Sequence, residues 1–276
     1  MAATFLVVPQ WQGSASSRAM RLVDGADAIR GDLPSASTRI VEIPLEAGDD
    51  QGTGVARLSS LAMVRARMAE QLLSVTGPVI TIGGDCGVEL AAIEHALGTH
   101  PDLAVVWFDA HPDLNTPATS PSHAFTGMVL RTLLGEGAEP LVPATPLAVD
   151  RVVLAGSRAY DAAEEEYIAA NRIATVTAAD VSGEVLVAAV KATGASSVYV
   201  HIDVDVHDPA DFAGLGAPEP FGVSAGALVE TVKALIADFT LAGAGITEFA
   251  PASPTEAVDD MPVILRLVGA LARGTT

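Results

Sequence analysis

Four short sets of side chains in this sequence could do metal chemistry. They are Asp85-Cys86 after Gly83-Gly84, Asp109-Ala110-His111-Pro112-Asp113, Asp203-Val204-Asp205, and Glu248. Each follows directly on an apolar run: 79–82, 103–108, 198–202 and 245–247. Asp109, His111 and Asp113 are two residues apart, as are Asp203 and Asp205. In extended backbone alternate side chains point the same way, so each segment offers same-facing ligands. Carboxylates crowded at the buried end of a strand repel one another and need a cation. Two divalent ions sharing carboxylates meet that need. Oxygen-rich ligation with one imidazole suits Mn²⁺ better than Zn²⁺, while a thiolate at Cys86 pulls toward softer metals. An isolated Asp-x-Asp is common on surfaces, and an isolated histidine is usually structural. Four sets at equivalent strand ends are not explained that way.

The elements that must position these groups are legible as an alternation. Apolar runs at 5–8, 40–43, 79–82, 104–108, 152–155, 174–176, 198–204 and 245–248 read as strands, mostly without polar alternation, as expected when both faces are covered. Helical patterns at 55–74, 88–97, 127–134, 162–170, 185–193, 224–238 and 255–272 lie between them, with Ser224 and Thr255 placed to cap two of these. This β-α order predicts a mostly parallel, roughly eight-stranded sheet between two helical layers, in one domain over 1–276. Ligands of such sheets bind at the carboxyl ends of the strands. Long loops at 114–126 and 207–222 follow two of those ends.

Composition narrows the partners. The chain has 276 residues, a formal charge of −19, and half its residues are hydrophobic, which excludes a disordered chain. The acidic balance argues against nucleic acid and anionic membranes and is compatible with a cationic substrate. The single cysteine excludes an internal disulfide. The first apolar run is short, ends at Pro9 and has no basic segment before it, so a cytoplasmic location is expected.

With those residues in place, the sequence resembles the ureohydrolase family of arginase and agmatinase. The segments that carry the resemblance are GGDC at 83–86, DAHPD at 109–113 and HIDVDVHDP at 201–209. The resemblance implies the arginase fold, two Mn²⁺ ions and hydrolysis of a guanidino or amidino C–N bond by a metal-bridging hydroxide. It places Asp109 and Asp203 as bridging ligands, Cys86 and Asp113 on one metal, and His111 and Asp205 on the other. Asp113 would also take a proton, and Glu248 would pair with the guanidinium. Asn115 and Ser122 would face a substrate α-carboxylate, and Asp161 and Glu164 an α-ammonium, which favours an amino-acid substrate over agmatine. Relatives form trimers or hexamers, so a homo-oligomer is compatible with the resemblance.

Two positions depart from the family pattern. Cys86 stands where a histidine is usual. At the start of a helix, beside two cations, it reads as a thiolate ligand whose pKa is lowered. Four carboxylates cancel two divalent ions, so the thiolate leaves the site at −1 and a bridging water less readily ionised. Thr126 stands where arginases carry a proton-shuttling histidine, and His123, three residues earlier, is the candidate replacement. Both departures disfavour arginine, whose guanidinium stays protonated. They favour an N-hydroxyguanidine, which loses its proton more easily. The combination resembles the family members that hydrolyse N-omega-hydroxy-L-arginine in antibiotic biosynthesis, implying L-ornithine and hydroxyurea as products. Arginase, guanidinobutyrase or formimidoylglutamase activity, or a metal-binding homologue without turnover, are the alternatives.

Overall fold

A computed structural model of the chain describes residues 3–274. The elements in chain order are β1 (Thr4–Val8), α1 (Arg21–Gly31), β2 (Thr38–Ile40), α2 (Leu58–Leu72), β3 (Val79–Gly83), α3 (Glu89–Thr99), β4 (Ala104–Phe108) and α4 (Val129–Leu133). They continue as β5 (Val152–Ala155), α5 (Ala162–Asn171), β6 (Ala174–Val176), α6 (Gly183–Ala192), β7 (Ser197–Asp203), α7 (Ala225–Asp238), β8 (Thr240–Thr247) and α8 (Ala257–Arg273). The strands form one eight-stranded sheet, ordered β2-β1-β3-β8-β7-β4-β5-β6, in which every pairing is parallel.

That order positions the site. After β3 the chain moves on to β4 and returns only at its end to insert β7 and β8 between them. Four strands distant in sequence thus become the centre of the sheet, with their carboxyl ends on one edge. The side chains of each strand alternate between two cores: Ala104, Val106 and Phe108 of β4 join one, and Val105 and Trp107 the other. The first core is closed by α1, α6, α7 and α8, the second by α2, α3 and α4, which makes three layers. Each large apolar side chain taken fully from water contributes about 1.5–3 kcal/mol. Strands buried on both faces are therefore the rigid part of the molecule.

The structure moves several elements from where the sequence placed them. β2 lies at Thr38–Ile40 rather than 40–43, because only three residues pair with β1, in the register Phe5–Thr38 to Val7–Ile40. β8 begins five residues before the apolar run that announced it. Residues 241–245 of it read Leu-Ala-Gly-Ala-Gly, and a Cβ at Gly243 would press on the Tyr199 ring. Small residues needed for close approach hide the strand from a β-branched pattern. α1 escaped notice because Gly25 interrupts it. There a Cβ would collide with the Phe249 carbonyl, so the helix packs where only glycine fits. Ser224 caps α7 through the Ala227 amide as expected, but Thr255 caps nothing, since α8 starts at Ala257 without a side-chain cap.

Candidate active site

The β3 end is built first by close approach. A Cβ at Gly84 would run into the Gln10 backbone, so only glycine lets the segment after β3 lie against the loop after β1. Asp85 then fastens that loop. Its carboxylate accepts from Gln10 Nε2, Gly13 N and Gly87 N, each at 2.8 Å. Cys86 follows in a single 3₁₀ turn, Cys86–Val88, that leads into α3. Its Sγ lies 3.2 Å from Asp203 Oδ2 and 3.3 Å from Thr247 Oγ1.

The other sets converge by Asx turns rather than by extended backbone. Asp109 Oδ1 accepts from His111 N at 2.6 Å, and Asp203 Oδ1 accepts from Asp205 N at 2.7 Å. Each aspartate thereby folds its own segment so that the next ligand swings back toward it. Asp113 adopts φ 52° and Glu248 φ 62°, both left-handed. The alternation of extended backbone is thus corrected: i and i+2 meet because the chain turns. Asp205 Oδ1 accepts from Ala110 N at 3.0 Å, and its Oδ2 lies 3.0 Å from His111 Nδ1, which joins the β4 and β7 ends. Asp113 Oδ2 is buried without a hydrogen-bond partner. Glu248 Oε1 accepts from Thr126 Oγ1 at 2.6 Å and from Cys86 N at 3.4 Å.

These groups could hold cations. Asp109, His111 and Asp205 bring ligand atoms within 4.8 Å of one another, as do Cys86, Asp203 and Glu248. Their electrostatics tell the same story, since without cations the site is overcrowded with negative charge. Burial and then its neighbouring carboxylates push Asp113 and Asp203 well above the usual range. Burial and Asp109 raise Asp205 to about 6. Desolvation and Asp85 raise Glu248 to about 8. Asp109 goes the other way, because His111 and His201 beside it outweigh its burial. Burial alone would lower His111, but Asp109 and Asp205 push it up to about 12. At Cys86, with no cation present, the helix start does not prevail. The thiol is raised, by burial first and then by Asp203, Asp113, Glu248 and Asp109, because the helix start is outweighed by four carboxylates. A thiolate there depends on cations. The orphaned Asp113 oxygen and the mutual repulsion fit a divalent pair.

A pH test follows. For the metal-free chain, groups whose native pKa is raised stabilise at low pH, and that stability is lost as pH rises through the native value. Asp85 and Asp205 at about 6 and Glu248 at about 8 all act in this sense. Thermal unfolding of EDTA-treated protein should therefore show a midpoint that falls between about pH 5 and about pH 8. Saturating Mn²⁺ should raise the midpoint at the upper end of that range and so reduce the fall. A flat profile without metal would contradict the crowding.

The cavity over these groups has a volume of about 410 Å³. His111, Asp113, Asp203, Asp205 and Glu248 line it, together with Asn115, Ser122, Asp161 and Glu164. The second set is internally wired. Asn115 Nδ2 donates to Asp161 Oδ2 at 2.8 Å. Glu164 accepts from Asp161 N and from Leu114 N, both at 2.9 Å, so its oxygens hold backbone as well as facing the cavity. Ser122 Oγ accepts from Ala124 N at 3.2 Å. His123 is not brought in: it is absent from the cavity lining, and its Nδ1 lies 3.0 Å from the Gly54 carbonyl. The Ser120 hydroxyl, accepting from His123 N at 3.1 Å, turns the loop there.

Sequence reasoning also missed supporting residues. Arg158 donates to the carbonyls of Asp205 at 2.9 Å, Glu219 at 2.8 Å and Pro220 at 2.9 Å, tying loop 207–222 to the β5 end. Trp107 Nε1 donates to Asp109 Oδ2 at 3.1 Å. His201 is fully buried on β7, and a histidine inside an apolar strand was the available signal.

A parallel sheet between two helical layers, with acids, a thiol and an imidazole at four adjoining strand ends, defines an α/β protein with a candidate cation site. The chain belongs to the arginase family, whose family profile matches residues 18–267. It is 31% identical over 154 residues to an arginase of Staphylococcus aureus (strain COL), covering 52% of this chain and 51% of that protein. The match thus spans about half the length of that relative. It is 26% identical over 270 residues to the N(omega)-hydroxy-L-arginine amidinohydrolase of Streptomyces lavendulae, covering 93% of each. The crystal structure of Entamoeba histolytica arginase in complex with L-ornithine superposes with a TM-score of 0.85 at 23% identity, covering 98% of this chain and 97% of that one. None of the described helices is long and apolar enough to cross a membrane.

Proposed function

We propose that this chain is a dimanganese amidinohydrolase, a single domain over 1–276. It hydrolyses N-omega-hydroxy-L-arginine to L-ornithine and hydroxyurea. The observation that carries the reading is one cavity lined both by members of the candidate cation-binding clusters and by a polar, acid-rich set. Such a cavity suits an α-amino acid with a guanidino tail. The family relationship and the full-length relation to the Streptomyces lavendulae protein support it. The reading extends to a cytoplasmic enzyme of antibiotic biosynthesis and is compatible with a homo-oligomer.

In this reading Asp109 and Asp203 would be shared by two Mn²⁺ ions, with Cys86 and Asp113 helping to hold one and His111 and Asp205 the other. When bound, the ions supply the positive charge that lets water ionise near neutral pH. The chain's own groups do the rest. Glu248, fixed by the Thr126 hydroxyl, orients the guanidino group. Asp113 takes a proton from the attacking water and returns it to the departing ornithine nitrogen. Asn115 and Ser122 receive the α-carboxylate, and Asp161 and Glu164 the α-ammonium. Thr126 puts no imidazole at its own position, and His123 faces elsewhere, so Asp113 has no shuttle histidine there to share protonation of the leaving amine. That favours the hydroxylated substrate.

Metal analysis and turnover on a panel of guanidino compounds test this. Two Mn²⁺ per chain are expected, with N-hydroxyarginine hydrolysed ahead of L-arginine, guanidinobutyrate and formimidoylglutamate. Equal or faster turnover of L-arginine would overturn the substrate, and bound metal with no turnover of any compound would leave a binding protein.

A further inference from the structure

Behind the cavity floor lies a group of buried polar side chains that the proposed reaction does not use. His201 and Glu89 are 0% exposed, and Tyr199 is 1% exposed. His201 Nδ1, both Glu89 carboxylate oxygens, Tyr199 Oη and Thr81 Oγ1 are all buried without a hydrogen-bond partner. Unpaired buried polar atoms are costly, and five in one place call for an explanation. The backbone has been cleared for this group, since a Cβ at Gly245 of β8 would collide with the Glu89 carboxylate.

His201 sits between Glu89 and the cation-binding cluster. Its Nε2 is 3.8 Å from Cys86 Sγ and 3.9 Å from Asp109 Oδ2, and its Nδ1 is 3.8 Å from Glu89 Oε2. The Nε2–Asp109 separation is too long for a hydrogen bond. The two Nε2 separations suit atoms sharing one cation, because metal bonds of about 2.0–2.3 Å at ordinary angles leave ligand atoms about 3–4 Å apart. Cys86, Asp109 and His201 do bring ligand atoms within 4.8 Å of one another. Trp107 fixes the imidazole plane by stacking, with centroids 3.5 Å apart and planes at 23°, while its indole N–H holds Asp109. A ligating histidine normally turns its other ring nitrogen to a carboxylate, and Glu89 stands on that side.

We propose that His201 Nε2 is a ligand of the metal held by Cys86, with Glu89 as the carboxylate that orients it through Nδ1–H. The imidazole missing from the helix side of the site is supplied instead from β7. This rests on the metal centre proposed above but not on its substrate.

The test uses the full chain with MnCl₂ as the only added ligand. Titration calorimetry should find two sites in the wild type. His201→Gln and Glu89→Gln should each retain one site and weaken the other, by about 10–100-fold for the latter, the range seen when a metal site loses such support. Circular dichroism checks that both fold. Independently, electron spin-echo modulation of Mn²⁺-loaded wild type labelled with ¹⁵N-histidine should show two coupled histidine nitrogens. That measurement decides the question without any variant, should His201→Gln fail to fold. A single coupled histidine nitrogen, with unchanged affinity in both variants, would overturn the ligand role while leaving the dimanganese centre standing. Absence of Mn²⁺ binding by the wild type would overturn both.

Discussion

Asp113→Asn is expected to lower kcat by about 10²–10⁴-fold, the contribution of a well-placed acid-base group. Three observations make this substitution informative. Asp113 is held at φ 52°, a left-handed conformation that asparagine tolerates better than other replacements, so the backbone need not move. Its Oδ2 has no protein partner to lose. Burial and four surrounding carboxylates make the anion costly at this position, so the neutral amide relieves repulsion and should not destabilise the metal-free fold. The expected signature is a large loss of kcat at near-normal thermal stability, with weaker binding of one metal. Stability and turnover move in opposite directions, as happens where charge is concentrated for function. Retained turnover at saturating Mn²⁺ would remove Asp113 from the proton-transfer role.

How much of this was legible beforehand follows from what each signal depends on. The parallel sheet was readable because strands buried on both faces must be continuously apolar, as Val105-Val106-Trp107-Phe108 is. β8 was readable only at its end, since Gly243 and Gly245 serve the side chains packed across them, Tyr199 and Glu89, and such packing partners are invisible in one dimension. The candidate ligands were legible because chemistry constrains residue type tightly. Their convergence was inferred for a wrong local reason: alternation in extended backbone was invoked, whereas Asx turns at Asp109 and Asp203 bring the groups round. The cysteine's surroundings were only half readable, because a helix start can be seen in sequence and the charges of Asp203, Asp113 and Glu248 around the sulfur cannot. His123 was put forward on sequence distance alone, and the Ser120 hydroxyl turns its backbone aside. Arg158 and Glu89 went unnoticed because they touch the site through other groups, and nothing about an isolated arginine or glutamate marks that.

Cys86→His tests whether the thiolate sets substrate choice, and the surroundings of the sulfur decide how it must be made. Cys86 is 1% exposed, with Asp203 Oδ2 at 3.2 Å, Thr247 Oγ1 at 3.3 Å and His201 Nε2 at 3.8 Å. An imidazole added there collides with the one already on β7, and overpacking of this kind costs about 1–3 kcal/mol. The paired variant Cys86→His with His201→Ala makes the room. It exchanges an anionic ligand for a neutral one, so the ligand charge of the proposed centre falls from five negative groups to the four carboxylates. The metals' pull on bound water strengthens, and a less reactive guanidinium becomes accessible. The ratio of kcat/KM for L-arginine to that for N-omega-hydroxy-L-arginine should rise at least tenfold, about 1.4 kcal/mol in relative transition-state stabilisation. Measuring that ratio rather than either rate cancels general damage to the site, which lowers both numerators together. A ratio unchanged in the paired variant, at full Mn²⁺ occupancy, would mean that the thiolate does not tune the centre and that discrimination lies with Thr126 and Glu248.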